Sequence, residues 1–339
     1  MSVFEDVLVL RQVGKRYRPD GQRFGRSRPR EPVLRDVSLS VRRGELFGLV
    51  GESGCGKSTL GRAIVRLFHD FTGDILLDGE NTREMGDISR KVQIVFQDPS
   101  GSLNPRKRIG WILEEPLRIH RIGTRAQRVA QVNRMLERVG LDSSFRSRFP
   151  HELSGGQRQR VSIGCALMLE PRLLVADEPV SALDVSVQAQ ILNLMRTLHA
   201  QMGLSMLFIS HNLDVVYHLC DRVAVMYRGE IVELARAETL YDAPAHPYTQ
   251  LLLEAVPRMD AGKAAMPSRP GSVDSQEGRQ GDAPVDGMLA DSKGCAFSPR
   301  CPHAIGPCSR THPPLERMVD ETGGEHLVRC HLRTAGREG

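Results

Sequence analysis

The chain has 339 residues, of which 40% are hydrophobic and 26% charged, enough for one large domain with an appended segment or for two domains. Its formal net charge of +5 permits contact with anionic lipid or nucleic acid but does not require it. No apolar run approaches the roughly 18 to 20 residues that cross a bilayer, and the start of the chain lacks the pattern of a signal peptide. We therefore expect a cytosolic protein.

The first stretch with chemical content is the glycine-rich sequence GESGCGKST at residues 51–59. It follows the apolar run LFGLV, which predicts a buried strand, and precedes TLGRAIVRLF, which has the apolar spacing of a helix. The pattern G-x-x-x-x-G-K-[ST] is typical of a loop whose backbone N–H groups hold nucleotide phosphates. Glycine-rich turns without this function also join strands to helices. The candidate phosphate-binding residues are Gly51, Ser53, Gly54, Gly56, Lys57, Ser58 and Thr59, with Lys57 expected at the β/γ oxygens and Ser58 on Mg²⁺.

Further along the chain, short apolar runs alternate with helical patterns, which predicts an α/β fold with a mostly parallel sheet covered by helices. The runs LLVA (173–176), SMLFIS (205–210) and RVAVMY (222–227) predict strands. Between residue 98 and about residue 160 the strand signal is missing and two stretches have helical spacing. We interpret that region as a helical insert in the sheet domain.

The sequence LSGGQRQR begins at Leu153, inside this insert. A serine followed by two glycines at the start of a helical pattern predicts a second cluster of N-terminal amides that can bind an anion. Its candidate residues are Ser154, Gly155, Gly156 and Gln157. One nucleotide does not need both this cluster and the loop at residues 51–59.

Two carboxylates follow the apolar run at residues 173–176, in LLVADEP. Ionised carboxylates beside a buried strand need a compensating charge, which nucleotide-bound Mg²⁺ would supply. Asp177 is then a candidate metal-supporting residue, and Glu178 is a candidate for polarising the water that attacks the γ-phosphate. The alternative is a strand-end turn and helix cap before Pro179.

Four of the seven cysteines fall within the last 45 residues. Cys295, Cys301, Cys308 and Cys330 form the pattern C-x5-C-x6-C-x21-C, and four thiolates are the ligands that a [4Fe–4S] cluster or a structural Zn²⁺ requires. The close C-x2-C pairs of the usual zinc pattern are missing. Zinc with His303 or His331 as a ligand, and free thiols, are the alternatives.

At this point the sequence resembles the ATP-binding subunits of ABC transporters, which are P-loop NTPases with a helical subdomain. The resemblance implies two such subunits facing head to tail, with each ATP between the glycine loop of one subunit and the Ser154 segment of the other. It also implies that Tyr17 stacks on adenine, that Gln97 senses the metal and the γ-phosphate, that Asp184 communicates between the two sites, and that His211 holds the γ-phosphate. The alternatives are a surface packing role for Tyr17, a capping role for Gln97 and a satisfied strand-end histidine at His211. Two departures from the family pattern are Val180, where Thr is frequent, and Asn212, where Asp is frequent.

A finer resemblance is to the ATP-binding subunits of oligopeptide and dipeptide permeases, through FQDPSGSLNPR, PHELSGGQRQR and HPYTQLLLEAVP followed by GCAFSPRCPHA. It implies peptide import with two transmembrane permease subunits, a second and non-identical ATPase subunit, and an extracytoplasmic substrate-binding protein, with no nucleic acid involved. It further implies a peripheral position on the cytoplasmic face of the plasma (inner) membrane, and it favours the [4Fe–4S] cluster over zinc. The alternatives are a nickel or other small-solute importer, or a soluble ABC ATPase that acts on nucleic acid or ribosomes.

We predict an ABC ATPase domain at 1–258 with its helical subdomain at about 98–160, a flexible linker at 259–293, and a separate four-cysteine module at 294–339. The linker prediction rests on a shift to Gly, Pro, Ser, Asp and Gln. An Arg-rich insertion at 18–32 carries Arg18, Arg23, Arg26, Arg28 and Arg30. We interpret it as a solvated loop, or alternatively as a contact with anionic headgroups or with the transmembrane partner.

Overall fold

The computed structural model describes residues 6–17, 32–255, 293–318 and 325–334. The strands in these ranges are β1 (Asp6–Lys15), β2 (Leu34–Arg42), β3 (Leu46–Val50), β4 (Thr72–Leu77), β5 (Glu80–Asn81), β6 (Val92–Val95), β7 (Leu173–Asp177), β8 (Ser205–Ser210), β9 (Arg222–Tyr227), β10 (Glu230–Arg236), β11 (Glu316–Met318) and β12 (His326–Val328). The helices are α1 (Lys57–Ile64), α2 (Pro99–Ser102), α3 (Ile109–Ile119), α4 (Arg125–Arg138), α5 (Gly155–Leu167), α6 (Val185–Met202), α7 (Leu213–Leu219), α8 (Ala237–Asp242), α9 (Pro247–Glu254) and α10 (His331–Thr334).

The main sheet has the order β11-β12-β10-β9-β3-β8-β7-β6. The five strands from β9 to β6 are parallel, whereas β10, β12 and β11 add to this sheet in antiparallel fashion. Strands β3, β7, β8 and β9 are buried along their whole length, because they are apolar on both faces and are covered on both faces. The predicted parallel α/β sheet is confirmed, and the carboxyl ends of β3, β7 and β8 meet at one edge.

A second, antiparallel sheet has the order β2-β1-β4-β5. Its inner residues, such as Val7, Leu39 and Ile75, form one hydrophobic cluster with α1 and with one face of the main sheet. Residues on the other face, such as Val95 and Phe208, belong to the larger cluster shared with the helices. Helix α1 and the loop before it are therefore held between the two sheets.

Between β6 and β7 the chain forms helices α2, α3, α4 and α5 and no strand, as the missing strand signal predicts. Their apolar faces meet in the larger cluster through residues such as Leu113, Leu136 and Ile163. Helix α4 begins with a capping box in which Thr124 and Gln127 exchange hydrogen bonds, so its start is fixed locally. The limits of the helical subdomain, about 98–160, stay a prediction.

The C-terminal cysteine-rich segment adds two strands to the main sheet, and the module limits of 294–339 stay a prediction. Strand β12 pairs with β10, with Glu233 opposite Val328, and β11 pairs with β12. Phe297 is only 1% exposed and belongs to the larger hydrophobic cluster.

The linker at residues 259–292 and the five arginines of the 18–32 insertion lie outside the described residues. Among the helices that the structure describes, none is both long and apolar enough to cross a membrane.

Candidate phosphate-binding site

The loop between β3 and α1 needs glycine at positions 51 and 56. Gly56 has φ 112°, a conformation that side chains strongly disfavour. A Cβ atom on Gly51 would lie 2.2 Å from the carbonyl oxygen of Met226, and one on Gly56 would lie 2.7 Å from that of Val33. The loop backbone thus packs directly against two neighbouring segments and has no room for a side chain at either position.

Lys57 opens α1 and is buried inside this loop. Its Nζ atom donates to the carbonyl oxygens of Gly51 at 2.8 Å and Glu52 at 3.0 Å. A buried ammonium next to helix-terminal N–H groups is a strongly positive site, which suits a phosphate group. The predicted neighbours Ser53, Gly54 and Thr59 lie in the same loop and the first turn of the helix.

Ser58 and Asp177 are brought together from distant parts of the chain. The Ser58 hydroxyl donates to Oδ1 of Asp177 at 2.8 Å, across the gap between α1 and the end of β7. Burial raises the pKa of Asp177, while the hydrogen bond from Ser58 acts in the opposite direction. A hydroxyl and a buried carboxylate are oxygen donors of the kind that Mg²⁺ prefers, so the donor set fits this ion.

Glu178 and His211 face each other beside this pair. The Nδ1 atom of His211 lies 3.1 Å from Oε2 of Glu178, because the two residues follow the adjacent strands β8 and β7. The backbone N–H of Glu178 donates to the carbonyl oxygen of Ile209 at 3.0 Å, which fixes the strand end. A carboxylate and an imidazole at the carboxyl ends of these strands can orient a water molecule and contact a phosphate oxygen.

The two departures from the family pattern have structural roles here. Asn212 accepts hydrogen bonds from the backbone N–H groups of Asp214 and Val215, so it caps α7. Val180 is buried in the larger hydrophobic cluster. Neither position removes a group from the Glu178–His211 pair.

Two other predicted residues, Gln97 and Tyr17, have exposed side chains. Gln97 follows β6 and is exposed, and Tyr17 is 39% exposed with its ring 6.4 Å from that of Phe68 in an edge-on arrangement. Within the described part of the chain, no hydrogen bond or ion pair links Tyr17, Gln97 or Ser154 to residues 51–59.

Ser154 begins α5 and forms a capping box with Gln157. The Gln157 N–H donates to the Ser154 hydroxyl at 3.3 Å, and the Ser154 N–H donates to the Gln157 side chain at 3.0 Å. Gly155 and Gly156 occupy the first turn, where a Cβ atom on Gly156 would lie 2.5 Å from Cγ1 of Val187. The glycines therefore bring the start of α5 close to α6, whose N-cap is the exposed Asp184.

The four C-terminal cysteines are free thiols that the fold gathers into one region. The Cys295 N–H donates to the carbonyl oxygen of Cys308 at 2.8 Å. Burial raises the pKa of Cys295, and negative charge on Cys308 and Cys330 adds to that effect. Among the described residues, however, no three His, Cys, Asp or Glu side chains are close enough together to hold a metal ion.

Sequence reasoning missed two residues that contact the loop. The Tyr248 hydroxyl accepts a hydrogen bond from the Glu52 N–H at 3.0 Å, and Nη1 of Arg300 lies 3.0 and 3.1 Å from the two Glu52 carboxylate oxygens. Both come from the HPYTQ and SPRC stretches, which serve above as family markers without a role. No local pattern relates residue 52 to residues about 200 and 250 positions away, so only the fold could reveal the contacts.

The loop, the Ser58–Asp177 bond and the parallel sheet define a P-loop NTPase of the ABC ATPase type. Residues 34–181 match the ABC transporter family, and residues 232–308 match the C-terminal region of the oligopeptide/dipeptide transporter family. The chain is 44% identical over 335 residues to the oligopeptide transport ATP-binding protein AppF of Bacillus subtilis (strain 168), which covers 97% of this chain and 98% of that protein. The chain therefore belongs to the oligopeptide/dipeptide transporter family of ABC ATP-binding proteins.

Solved structures agree on the fold. One is the ATP-binding cassette MJ0796 in a dimeric, post-hydrolysis state bound to ADP and Pi, with a TM-score of 0.59 and 28% identity over 68% of this chain and 98% of that chain. Another is cbiO1 from Clostridium perfringens, part of the ABC transporter complex cbiONQ, with a TM-score of 0.61 over 70% of this chain and 92% of that chain. At 23% identity the second likeness shows the fold alone.

Proposed function

We propose that this chain is the ATP-hydrolysing subunit that energises an importer of dipeptides and oligopeptides. The observation that carries the ATPase part is the meeting of Lys57, the Ser58–Asp177 bond and the Glu178–His211 pair at one edge of the sheet. The peptide part is supported by the match of residues 232–308 and by the oligopeptide transport function named for the B. subtilis relative.

In this proposal the loop binds the phosphates of ATP. Lys57 and the N–H groups from Ser53 to Thr59 neutralise the β/γ oxygens, and the half-exposed ring of Tyr17 stacks on adenine. Bound Mg²⁺ supplies a Lewis acid that offsets charge on the phosphates. Ser58, Asp177 and Gln97 are the residues that would hold it, and the first two already present their oxygens to one another.

Hydrolysis then depends on Glu178 and His211. The Glu178 carboxylate accepts a hydrogen bond from the attacking water and orients it toward the γ-phosphate. His211, held by Glu178 through one ring nitrogen, leaves the other for a γ-phosphate oxygen. The capped N-terminus of α5, with Ser154, Gly155, Gly156 and Gln157, faces the ATP of a second ATPase subunit, and Asp184 lies at the start of the neighbouring helix between the two sites.

The proposal includes the partners that an importer requires. These are two transmembrane permease subunits, a second and non-identical ABC ATPase subunit, and an extracytoplasmic substrate-binding protein. The chain then acts as a peripheral subunit on the cytoplasmic face of the inner membrane. Support comes from the family, and nucleic acid is not among the expected partners.

Uptake measurements test the function. In cells that depend on this transporter, we expect Lys57→Ala to abolish uptake of a labelled tripeptide and to leave uptake of ⁶³Ni²⁺ unchanged, because the variant loses the ammonium that binds phosphate. Loss of nickel uptake with normal peptide uptake would assign the chain to a nickel importer. No change in either uptake would contradict a role in import.

We also propose that Cys295, Cys301, Cys308 and Cys330 bind a [4Fe–4S] cluster, with zinc as the alternative. Four free thiols in one region supply the correct donors, although the side chains must move closer together to serve as ligands. Anaerobic purification followed by iron, sulfide and zinc analysis tests this. We expect about four irons and four sulfides per chain, lost in Cys301→Ser and retained in the control Cys165→Ser. One zinc without iron would replace the cluster, and no metal would leave free thiols.

A further inference from the structure

Two residues from the C-terminal part of the chain form hydrogen bonds or ion pairs with Glu52 in the phosphate-binding loop. The hydroxyl of Tyr248 accepts from its N–H, and the guanidinium of Arg300 contacts its carboxylate. We propose that Tyr248 and Arg300 are positioning residues that set the conformation of the loop for nucleotide binding through Glu52. The proposal rests on the ATP-binding function assigned to this loop above.

Glu52 is held from opposite ends of its backbone. Its carbonyl oxygen accepts from Nζ of Lys57, and its N–H donates to Tyr248. The carbonyl oxygen of Gly51, the residue before it, also accepts from Lys57. Lys57 and Tyr248 therefore contact the same peptide group, the one that joins Gly51 to Glu52, so a shift at Tyr248 changes the geometry around Lys57.

The side chain of Tyr248 is held in one position by its neighbours. It is 1% exposed, and its ring centroid lies 4.6 Å from that of Tyr227 and 5.5 Å from that of Phe297. Burial raises the pKa of its hydroxyl, so the group stays protonated at physiological pH. Packing on several sides fixes the ring, and the hydroxyl is the one polar group it offers to the loop.

The ion pair between Arg300 and Glu52 stabilises the loop less than the hydrogen bond to Tyr248 does. Its side chain is 51% exposed and that of Glu52 is 41% exposed, and ion pairs at such sites are screened by solvent. The hydrogen bond from a partly buried N–H to Tyr248 is harder to replace, because its loss leaves a donor without a partner. We therefore expect Tyr248 to matter more than Arg300.

These contacts connect the loop to the cysteine-rich segment. Phe297 and Arg300 both lie between Cys295 and Cys301, in and beside a short 3₁₀ turn. Phe297 packs on Tyr248, and Arg300 reaches Glu52 directly. The conformation of the segment between the two cysteines is thus transmitted to the loop by one packing contact and one ion pair.

Nucleotide titrations of the full chain test the proposal. The parent is the Glu178→Gln variant, which prevents turnover during the measurement, and the probe is a fluorescent ATP analogue with Mg²⁺. We expect Tyr248→Phe to raise the Kd about three- to tenfold, and Arg300→Gln to raise it about two- to threefold. Matched controls with unchanged affinity are Tyr241→Phe, whose ring contacts Tyr217, and Arg333→Gln, whose guanidinium donates to Ala245.

Additional measurements separate positioning from general stability. The urea midpoint of each variant is recorded, and the affinity loss should appear without a matching loss of stability, because Tyr248→Phe keeps the ring and its packing. Arg300→Lys should recover part of the affinity. The double variant of Glu52→Gln and Arg300→Gln should bind no more weakly than the weaker single variant, because the two side chains form one interaction.

The outcomes are distinct. Parental affinity in Tyr248→Phe, or an equal loss in Tyr241→Phe, would overturn the positioning role and leave the ATPase function standing. A parent chain that binds no ATP analogue at all would overturn the proposed function and this inference with it. Weaker binding confined to the Tyr248 and Arg300 variants would support both.

Discussion

Glu178 has an uncommon backbone conformation that its neighbours hold in place. Its φ is 48°, in the left-handed region that residues other than glycine rarely adopt. Three hydrogen bonds hold this conformation: the Glu178 N–H donates to the carbonyl oxygen of Ile209, and the N–H and the hydroxyl of Ser181 both donate to the Glu178 carbonyl oxygen. Such conformations persist where the surroundings hold them, and they cluster at active sites.

Glu178→Gln tests the role of the carboxylate. The amide keeps the shape and the hydrogen bond to His211 but cannot act as a base, so we expect nucleotide binding to persist while ATP turnover falls about a hundredfold or more. A steady-state ATPase assay beside a binding titration checks this. Glu170→Gln is a matched control, because Glu170 is an exposed glutamate with the same φ of 48°. Parental turnover in Glu178→Gln would remove Glu178 from the mechanism.

His246 should make stability depend on pH. It is buried beside α9, where its Nδ1 accepts from the Tyr248 N–H, and burial lowers its pKa from 6.5 to about 4 although the Glu233 carboxylate opposes this. The unfolded chain binds this proton below about pH 6.5 and the folded chain only below about pH 4, so stability is complete above 6.5 and falls as the pH drops toward 4. The full effect is about 3 kcal/mol.

The matched variant for this prediction is His246→Asn, which keeps a helix-capping acceptor but does not titrate. Urea unfolding at pH 7.5 and pH 5 should show a larger loss of stability at pH 5 for the parent than for His246→Asn. All other ionisable groups are the same in both chains, so the difference between the two isolates His246. Equal pH dependence in both would contradict the depressed pKa.

At the scale of secondary structure, strands were predictable and helix ends were not. The apolar runs at residues 46–50 and 205–210 match β3 and β8 because full burial of a parallel strand requires an unbroken apolar sequence. The helical spacing after the glycine loop extends to Phe68, yet α1 ends at Ile64. Arg66, with φ 57°, turns the chain away and donates to the carbonyl oxygens of Thr82 and Met85, a distant contact that no local pattern encodes.

The candidate site, too, was predictable from the sequence only in part. The P-loop pattern locates Lys57 and Ser58 because the loop, strand and helix are contiguous in sequence. Residue patterns also single out Asp177, but its hydrogen bond to Ser58 joins residues 119 positions apart. Tyr248 and Arg300 have no local signal of any kind, since their contacts to Glu52 arise only when β10 and the C-terminal segment complete the sheet.

The contact between α5 and α6 gives a prediction for helix packing. Because a Cβ atom on Gly156 would lie 2.5 Å from Cγ1 of Val187, we expect Gly156→Ala to lower the free energy of unfolding by about 1–3 kcal/mol. Val187 is β-branched and lies in a helix, so its side chain strongly prefers one rotamer and can move aside only at a cost in energy. Denaturant unfolding of the full chain measures the change.

A second substitution identifies the cause of that loss. Val187→Ala removes the methyl group that the new Cβ would meet, so the double variant should recover much of the stability that Gly156→Ala loses. Gly155→Ala serves as the control, since a Cβ atom there would lie 3.4 Å from Leu183, an ordinary contact. An uncorrected loss in the double variant would show that helix packing is not the reason for glycine at position 156.

For the whole molecule, an ionic network centred on the buried Arg222 joins the C-terminal segment to the ATPase sheet. Arg222 is buried and contacts Glu45 at 3.2 Å and Glu325 at 2.9 Å. Burial raises the pKa of Glu45, while the Arg42 N–H and the Arg222 charge oppose that rise. Glu233, also buried, accepts from the Ala245 N–H and lies 2.8 Å from Nε2 of His326. Polar groups buried between two parts of a chain indicate that the parts fold together.

Removal of residues 294–339 tests this cohesion against the separate module that composition suggests. The truncation takes away β12, which exposes the edge of β10, and it takes away Phe297, whose ring fills space beside Tyr227 and Tyr248. Loss of a fully buried phenylalanine side chain alone costs about 3–5 kcal/mol, and an uncovered strand edge favours association. We therefore expect the truncated chain to unfold at a clearly lower denaturant concentration and to form oligomers in size-exclusion chromatography, while Phe297→Ala in the full chain reproduces only the loss of stability. A monomeric truncated chain with the parental midpoint would show that the segment is an independent module, and the contact of Arg300 with Glu52 would then have no part in holding the domain together.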